Sequence, residues 1–227
     1  MNETTFDPSA VKSQIEAFEA AGMQVYNYVK DANVEFVNAI AENWFSARAV
    51  EFATKNLPQM YKAQNDLLVF VNNHVIMLVN AYNAYANANN VSTLSTDRTE
   101  MAAGSLPTDT PADFAADDGS PKIKEINGDK VGMYVDNVKT AISNLTNKIR
   151  GVIDVYLDRI PREISINDPN GDIQTSFRTG IDTAKANFET ELESIYDSIN
   201  SVIEYEVALT ESAETAATES ISGTPTV

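Results

Sequence analysis

The stretch DPSAVKSQIEAFEAAGMQVYNYVKDANVEFVNAI, residues 7–40, decides the fold. Asp7-Pro8 is an N-cap followed by proline at the first helical position, where the missing N–H costs nothing. Small or apolar residues then recur at Val11, Ile15, Phe18, Gly22, Val25, Val29, Ala32, Phe36 and Ala39 in unbroken 4-3 spacing, the period of a helix with one buried seam. The stripe predicts a helix of roughly 45 Å at ~1.5 Å per residue.

Working outward, a break near residues 41–46 is followed by a second stripe. It runs through Ala53, Leu57, Met60, Gln64, Leu67, Val71, His74, Leu78, Ala81, Tyr85 and Ala88. Pro58 removes an i→i−4 bond within it, so a kink or a separate short helix is expected there. Two long amphipathic helices with a short connection pack antiparallel. From residue 91 to 130 the pattern gives way to Asn, Ser, Thr, Asp, Pro and Gly, a polar linker in which Lys122–Lys130 could form a small β-hairpin around Asn127-Gly128. Periodicity returns at Val131, Val135, Val138, Ile142, Leu145, Ile149, Val152, Tyr156 and Ile160, and Pro161 ends it. A fourth stripe runs Phe177, Ile181, Ala184, Phe188, Leu192, Ile195, Ile199 and Val202, fraying at Glu206 and Leu209. The fold class is all-α: two long antiparallel helical hairpins, residues 1–90 and 131–209, packed as an elongated four-helix bundle. Residues 210–227, without an apolar stripe, read as a disordered tail.

Composition limits function. The chain has 227 residues, 43% of them hydrophobic, and a net charge of −17. Acids outnumber bases in each hairpin, the linker and the tail, so every segment would repel a phosphate backbone, and nucleic acid is not an expected partner. Anionic lipid is disfavoured on the same grounds. There is no Cys, which excludes disulfide and thiolate chemistry. The N-terminal residues show no basic region followed by an apolar run, so no cleavable secretory signal is expected.

The candidate sites for chemistry are weak. Asp168-Pro169-Asn170-Gly171-Asp172 alternates oxygen ligands like a calcium loop, but such a loop needs Gly at its sixth position, here Ile173, and Glu at its twelfth, here Thr179. A turn ending in an Asp172 N-cap is the expected reading. His74 is the only His, too little for a zinc site, and is expected as a buried or half-buried polar residue of the seam. Glu189, Glu191, Glu193, Asp154 and Asp158 fall on helix faces beside Lys or Arg and read as solvated. No catalytic, metal or cofactor site is expected, and the protein reads as no enzyme. Leu67–Val79 is the most apolar run, too short and too polar at its centre to span a bilayer. It fits a helix buried on two sides, a partner surface, or a segment that enters membranes after a rearrangement.

The bend of the first hairpin reads Asn43-Trp44-Phe45-Ser46-Ala47-Arg48-Ala49-Val50-Glu51-Phe52, with the only Trp of the chain. This resembles the Trp-x-Gly (WXG) helical-hairpin family of type VII secretion systems, in which a central Trp-x-Gly bend joins two helices and hairpins pair into four-helix bundles. Trp44, Ala49 and Phe52 match the pattern; Ser46 stands in place of the Gly and Arg48 where a small residue is usual. The resemblance covers residues 1–90, and the second half shares only the helix-bend-helix plan. It implies a tandem of two hairpins acting as a secreted substrate, or as partner and chaperone of one. It further implies a protein-recognition surface at Trp44, Phe45, Ser46 and Phe52, and a secretion ATPase or small hairpin protein as partner. Location would be outside the cell by a signal-peptide-independent route, with the cytoplasm as alternative. The Tyr-x-x-x-Asp/Glu export signal common in that family is missing: none of the nine Tyr has an acid four residues on. Two other readings stay open, a membrane-active helical toxin component using residues 67–79 and a structural coiled-coil protein of a phage or cell surface.

Overall fold

The computed structural model describes residues 7–97, 122–152 and 171–222. Within them the regular elements are four helices and one two-stranded sheet, in the order α1 (Pro8–Asn43), β1 (Trp44–Phe45), α2 (Ala47–Ala88), β2 (Gly132–Met133), α3 (Val135–Val152) and α4 (Asp172–Ser222). The all-α expectation holds at that level.

Local chemistry sets the helix ends. Asp7 caps α1, its Oδ1 accepting from the amides of Ser9 and Ala10 at 3.0 Å each. At the far end of α2, Val91 N–H donates to the Ala86 carbonyl at 2.8 Å while Asn90 adopts a φ of 54°. A six-to-one bond with a left-handed residue before it is the Schellman stop, and Asn is the non-glycine residue that best tolerates it. Gly171, at φ 72°, precedes α4, and its carbonyl accepts from the Thr175 amide at 2.9 Å. The cap therefore falls on Gly171, one residue before the Asp172 expected from sequence.

Three expectations need correcting. Of the two alternatives at Pro58, a kink or a separate short helix, the separate helix does not form: α2 is one helix through Pro58. Pro58 and Thr54 both lie on the exposed side, so water can satisfy the Thr54 carbonyl that loses its intrahelical partner. Val131, Gly132 and Met133 are not the first turn of the third helix, which begins at Val135. Residues 210–222 are not a tail: α4 continues to Ser222 although residues 211–220 are all exposed. Extending a nucleated helix fixes one residue per bond gained, so the Ala- and Glu-containing run Glu211–Glu219 propagates without a packing face. Residues 153–160, the Asp154/Asp158 pair and Asp168–Asn170 lie outside the described residues, as do 223–227.

The chain forms two compact units, and each draws on both expected hairpins. The first comprises Met1–Lys30, Lys62–Thr108 and Ile149–Leu192, the second Asp31–Tyr61, Asp109–Lys148 and Glu193–Val227. In the first, Val11, Ile15 and Phe18 of α1, the α2 run from Leu67, and Phe177, Ile181 and Leu192 of α4 are buried. Phe18 meets Phe177 edge to face at 6.0 Å. Leu67, Leu68, Phe70, Val71, His74, Val75, Leu78 and Val79 are all buried; at 3.6 residues per turn they cover roughly half the circumference of α2. This face of the run is packed within the protein, while Asn73, Met77 and Asn80 on the other side of the helix are exposed. Lys62 pairs with Glu191 at 2.5 Å. In the second unit, Phe36, Val37 and Ile40 of α1, Leu57 of α2, Val138, Ile142 and Leu145 of α3 and Ile199 and Ile203 of α4 are buried. There Tyr196 donates to Asn33 Oδ1 at 3.0 Å, and burial pushes the phenol well above its usual pKa.

Candidate functional site

The bend around Trp44 is built entirely within the second unit. α1 stops where Asn43 turns its side chain back, Nδ2 donating to the Ala39 carbonyl at 2.8 Å. The Asn43 carbonyl accepts from the Tyr134 amide at 2.8 Å, and its Oδ1 accepts from Asn137 Nδ2 at 2.7 Å. Between these bonds the two residues of β1 pair antiparallel with β2, Trp44 opposite Met133 and Phe45 opposite Gly132. Gly132 has a φ of 147°, a region that L side chains rarely adopt. The Tyr134 carbonyl then receives the amides of Asn137 and Val138 at 3.1 Å each, which starts α3.

Ser46 starts α2. Its Oγ accepts from the Ala49 amide at 3.1 Å and its carbonyl from Val50 at 3.3 Å, the geometry of a serine N-cap. The residue that departs from Trp-x-Gly thus supplies a cap that a glycine could not make with a side chain.

Trp44 is 2% exposed and lies 5.6 Å from the Phe52 ring, which meets Phe36 edge to face at 6.3 Å. Phe45 is buried and meets the half-exposed Tyr134 ring at 6.4 Å and 89°. Of the four residues expected to form a partner surface, Trp44, Phe45 and Phe52 are therefore core, and only Ser46 is partly accessible. The mini-sheet favours this: β2 pairs with one edge of the dipeptide and takes up part of its backbone hydrogen bonding, while the rings pack on Phe52 and Tyr134.

One ion pair crosses the bend. Arg48 Nη1 donates to Glu206 Oε1 at 2.6 Å, with the Glu206 side chain only 11% exposed. The hydrogen bond to Glu206, then its charge, raises the Arg48 pKa. Arg48, which departs from the small residue usual in the resembled family, here supplies the counter-ion for a buried carboxylate of α4. Sequence reasoning placed Glu206 at a fraying seam position and missed the pair, because its members stand 158 residues apart. The mini-sheet was missed too: the third stripe runs on through Val131 and Val135, and Gly132 between them, a poor helix former, was the one signal against a helix there.

In the first unit, His74 is buried as expected, its Nδ1 2.7 Å from the Phe70 carbonyl. Glu189 pairs with Lys185 at 3.4 Å in a half-buried position and Glu191 pairs with Lys62 at the surface, so both carboxylates are engaged in ion pairs. Among the described residues no group of three or more His, Cys, Asp or Glu could hold a metal ion. Comparison with known proteins yields no relative, since no family model, no curated protein and no solved structure matches this chain.

Proposed function

We propose that this chain is a non-enzymatic, type VII secretion-associated protein of the Trp-x-Gly hairpin kind, a secreted substrate or the partner and chaperone of one. It works through helical protein–protein interfaces, with a secretion ATPase or a small hairpin protein as partner, and leaves the cell through that secretion system. The same reading pairs α1 with α2 and α3 with α4 as two antiparallel hairpins packed as an elongated four-helix bundle, one chain holding both hairpins that smaller members bring together as a dimer.

The observation that carries the reading is the bend. Helices of 36 and 42 residues meet across Trp44-Phe45-Ser46, with the only Trp of the chain set against Phe52 eight residues on. Because the three aromatic rings are buried, the partner meets outer helix faces, such as those where Tyr28 and Tyr205 stand exposed. The test is expression in a host with a type VII system, comparing the culture medium of a strain with an active secretion ATPase to one without. Recovery that depends on the ATPase, or co-purification with the ATPase or a small hairpin protein, supports the proposal. A protein that stays in the cell and captures neither overturns it.

A second reading, membrane activity, has one observation behind it. By length and composition α2 is apolar enough to cross a membrane, although half of the relevant window is buried within the protein, as in a core helix. Dye release from liposomes at neutral pH would favour this reading over the first.

A further inference from the structure

The last part of α2, from Leu67 to Ala88, carries no Asp, Glu, Lys or Arg. The one group in it that can gain a charge near neutral pH is His74, the only histidine of the chain. The residue is 7% exposed and its ring lies 4.3 Å from that of Phe70. Nδ1 stands 2.7 Å from the Phe70 carbonyl, one turn back on the same helix. On α4, in the same unit, the backbone of Gly180 acts on the ring in the same sense as the Phe70 carbonyl, favouring its protonated form. Met77 completes the contact: a Cβ on Gly180 would stand 3.3 Å from its Cε and 3.7 Å from its Sδ. The missing side chain at 180 is what lets α4 come this near to α2.

A neutral imidazole has one N–H and can donate to one carbonyl, whereas an imidazolium donates from both nitrogens but must hold a charge in an apolar contact. Burial is the larger effect and pushes the His74 pKa below its ordinary value, against the opposing pull of the Phe70 and Gly180 backbones. On α4 the nearest charged residues are Arg178 and Asp182, both exposed, with Lys185 paired to Glu189 beyond them. In the same unit α1 carries Lys12, Glu16, Glu19 and Lys30, and α3 carries Arg150. None of these contributes to the shift, so among the described residues no carboxylate offsets the burial of the ring.

We propose that His74 is an acid-sensitive clasp, whose protonation loosens α2 from α4 at Gly180 while the Trp44 bend, which contains no histidine, stays closed. The sign follows from linkage. With the folded pKa below the unfolded value of about 6.5, the unfolded or opened form binds more protons in the window between the two. The contact keeps its full stability above that window and loses it as pH falls through it.

The experiment uses the full chain and needs no ligand. Proton NMR of the single imidazole reports its folded titration directly, and hydrogen exchange, corrected for intrinsic rates, compares amides at 70–79 and 177–185 with those at 43–52. The expected result is a midpoint below about 6.5 and opening of the first two regions that increases by up to about tenfold per pH unit on acidification. The 43–52 region should not share that response, and His74→Gln should remove it. A midpoint at or above the ordinary value, equal acceleration in all three regions, or an unchanged acid response in a folded His74→Gln variant would overturn the proposal. If that variant does not fold, the wild-type titration and exchange decide alone.

Discussion

Trp44→Ala tests whether the bend is held by its own packing. Trp44 is 2% exposed, stacked at a tilt on Phe52 and paired through its backbone with Met133. Truncation withdraws about 200 Å² of buried apolar surface, and at ~25 cal/mol per Å² the transfer loss is about 5 kcal/mol as an upper bound. Large aromatic-to-alanine changes in cores cost about 3–5 kcal/mol, the spread reflecting how far the site collapses. The expected loss is therefore about 3–5 kcal/mol, a large part of the ~5–15 kcal/mol typical of a folded domain. Because the substitution removes the only Trp, wild type and variant must both be followed by circular dichroism in a urea titration rather than by fluorescence. Trp44→Phe, which keeps a ring against Phe52, should recover part of the loss. A cost below about 1 kcal/mol, the size of an ordinary surface change, would refute the core assignment. A loss of partner binding alongside it would return Trp44 to a recognition surface.

Ser46→Ala deletes the N-cap oxygen of α2 and should destabilise by about 0.5–2 kcal/mol in the same titration, while Ser46→Gly, the residue of the resembled motif, should cost only a few tenths. Pro58→Ala should stabilise by about 1–3 kcal/mol, since Pro58 is exposed inside α2 and Ala restores the missing N–H; a lower melting temperature would mean that α2 depends on the proline for its path. Arg48→Met should destabilise because it leaves the Glu206 carboxylate without a counter-ion, and Arg48→Met with Glu206→Leu should recover stability relative to Arg48→Met alone. Strict additivity in that double-mutant cycle would show that the pair does not couple.

Much of the helical plan was legible because it rests on short-range signals. Asp7-Pro8 marked the start of α1, and the 4-3 stripes marked residues that are mostly buried, from Val11 and Ile15 in α1 to Leu145 in α3 and Ile199 in α4. The bend at Trp44 was placed by the interruption of two such stripes. The residues that close the bend were not legible. A two-residue strand has no periodicity to detect, and Trp44-Phe45 finds its partner at Gly132-Met133 on the far side of a polar linker. The Asn127-Gly128 signal did mark a tight turn, since Asn127 and Lys130 exchange bonds of 3.1 Å around Gly128 at φ 62°. The Arg48–Glu206 pair required knowing which positions face each other, whereas the cap role of Ser46 is local, a serine bonded to an amide three residues on. Burial of the bend aromatics was not legible either, because a ring count cannot tell a hot spot from a core.

Pairing β1 with β2 also sets an order of events during synthesis. At about 5–20 residues per second, Gly132 follows Phe45 out of the ribosome by roughly 4–18 s. Throughout that interval α1 and α2 can wind, but Trp44 and Phe45 have no β2 to take their backbone bonds. Closing so long a loop is entropically expensive, though the penalty grows only with the logarithm of its length. The nascent chain thus carries an apolar dipeptide with open hydrogen-bonding groups at its most folded point, and any extended segment that arrives before residues 132–133 competes for the same place.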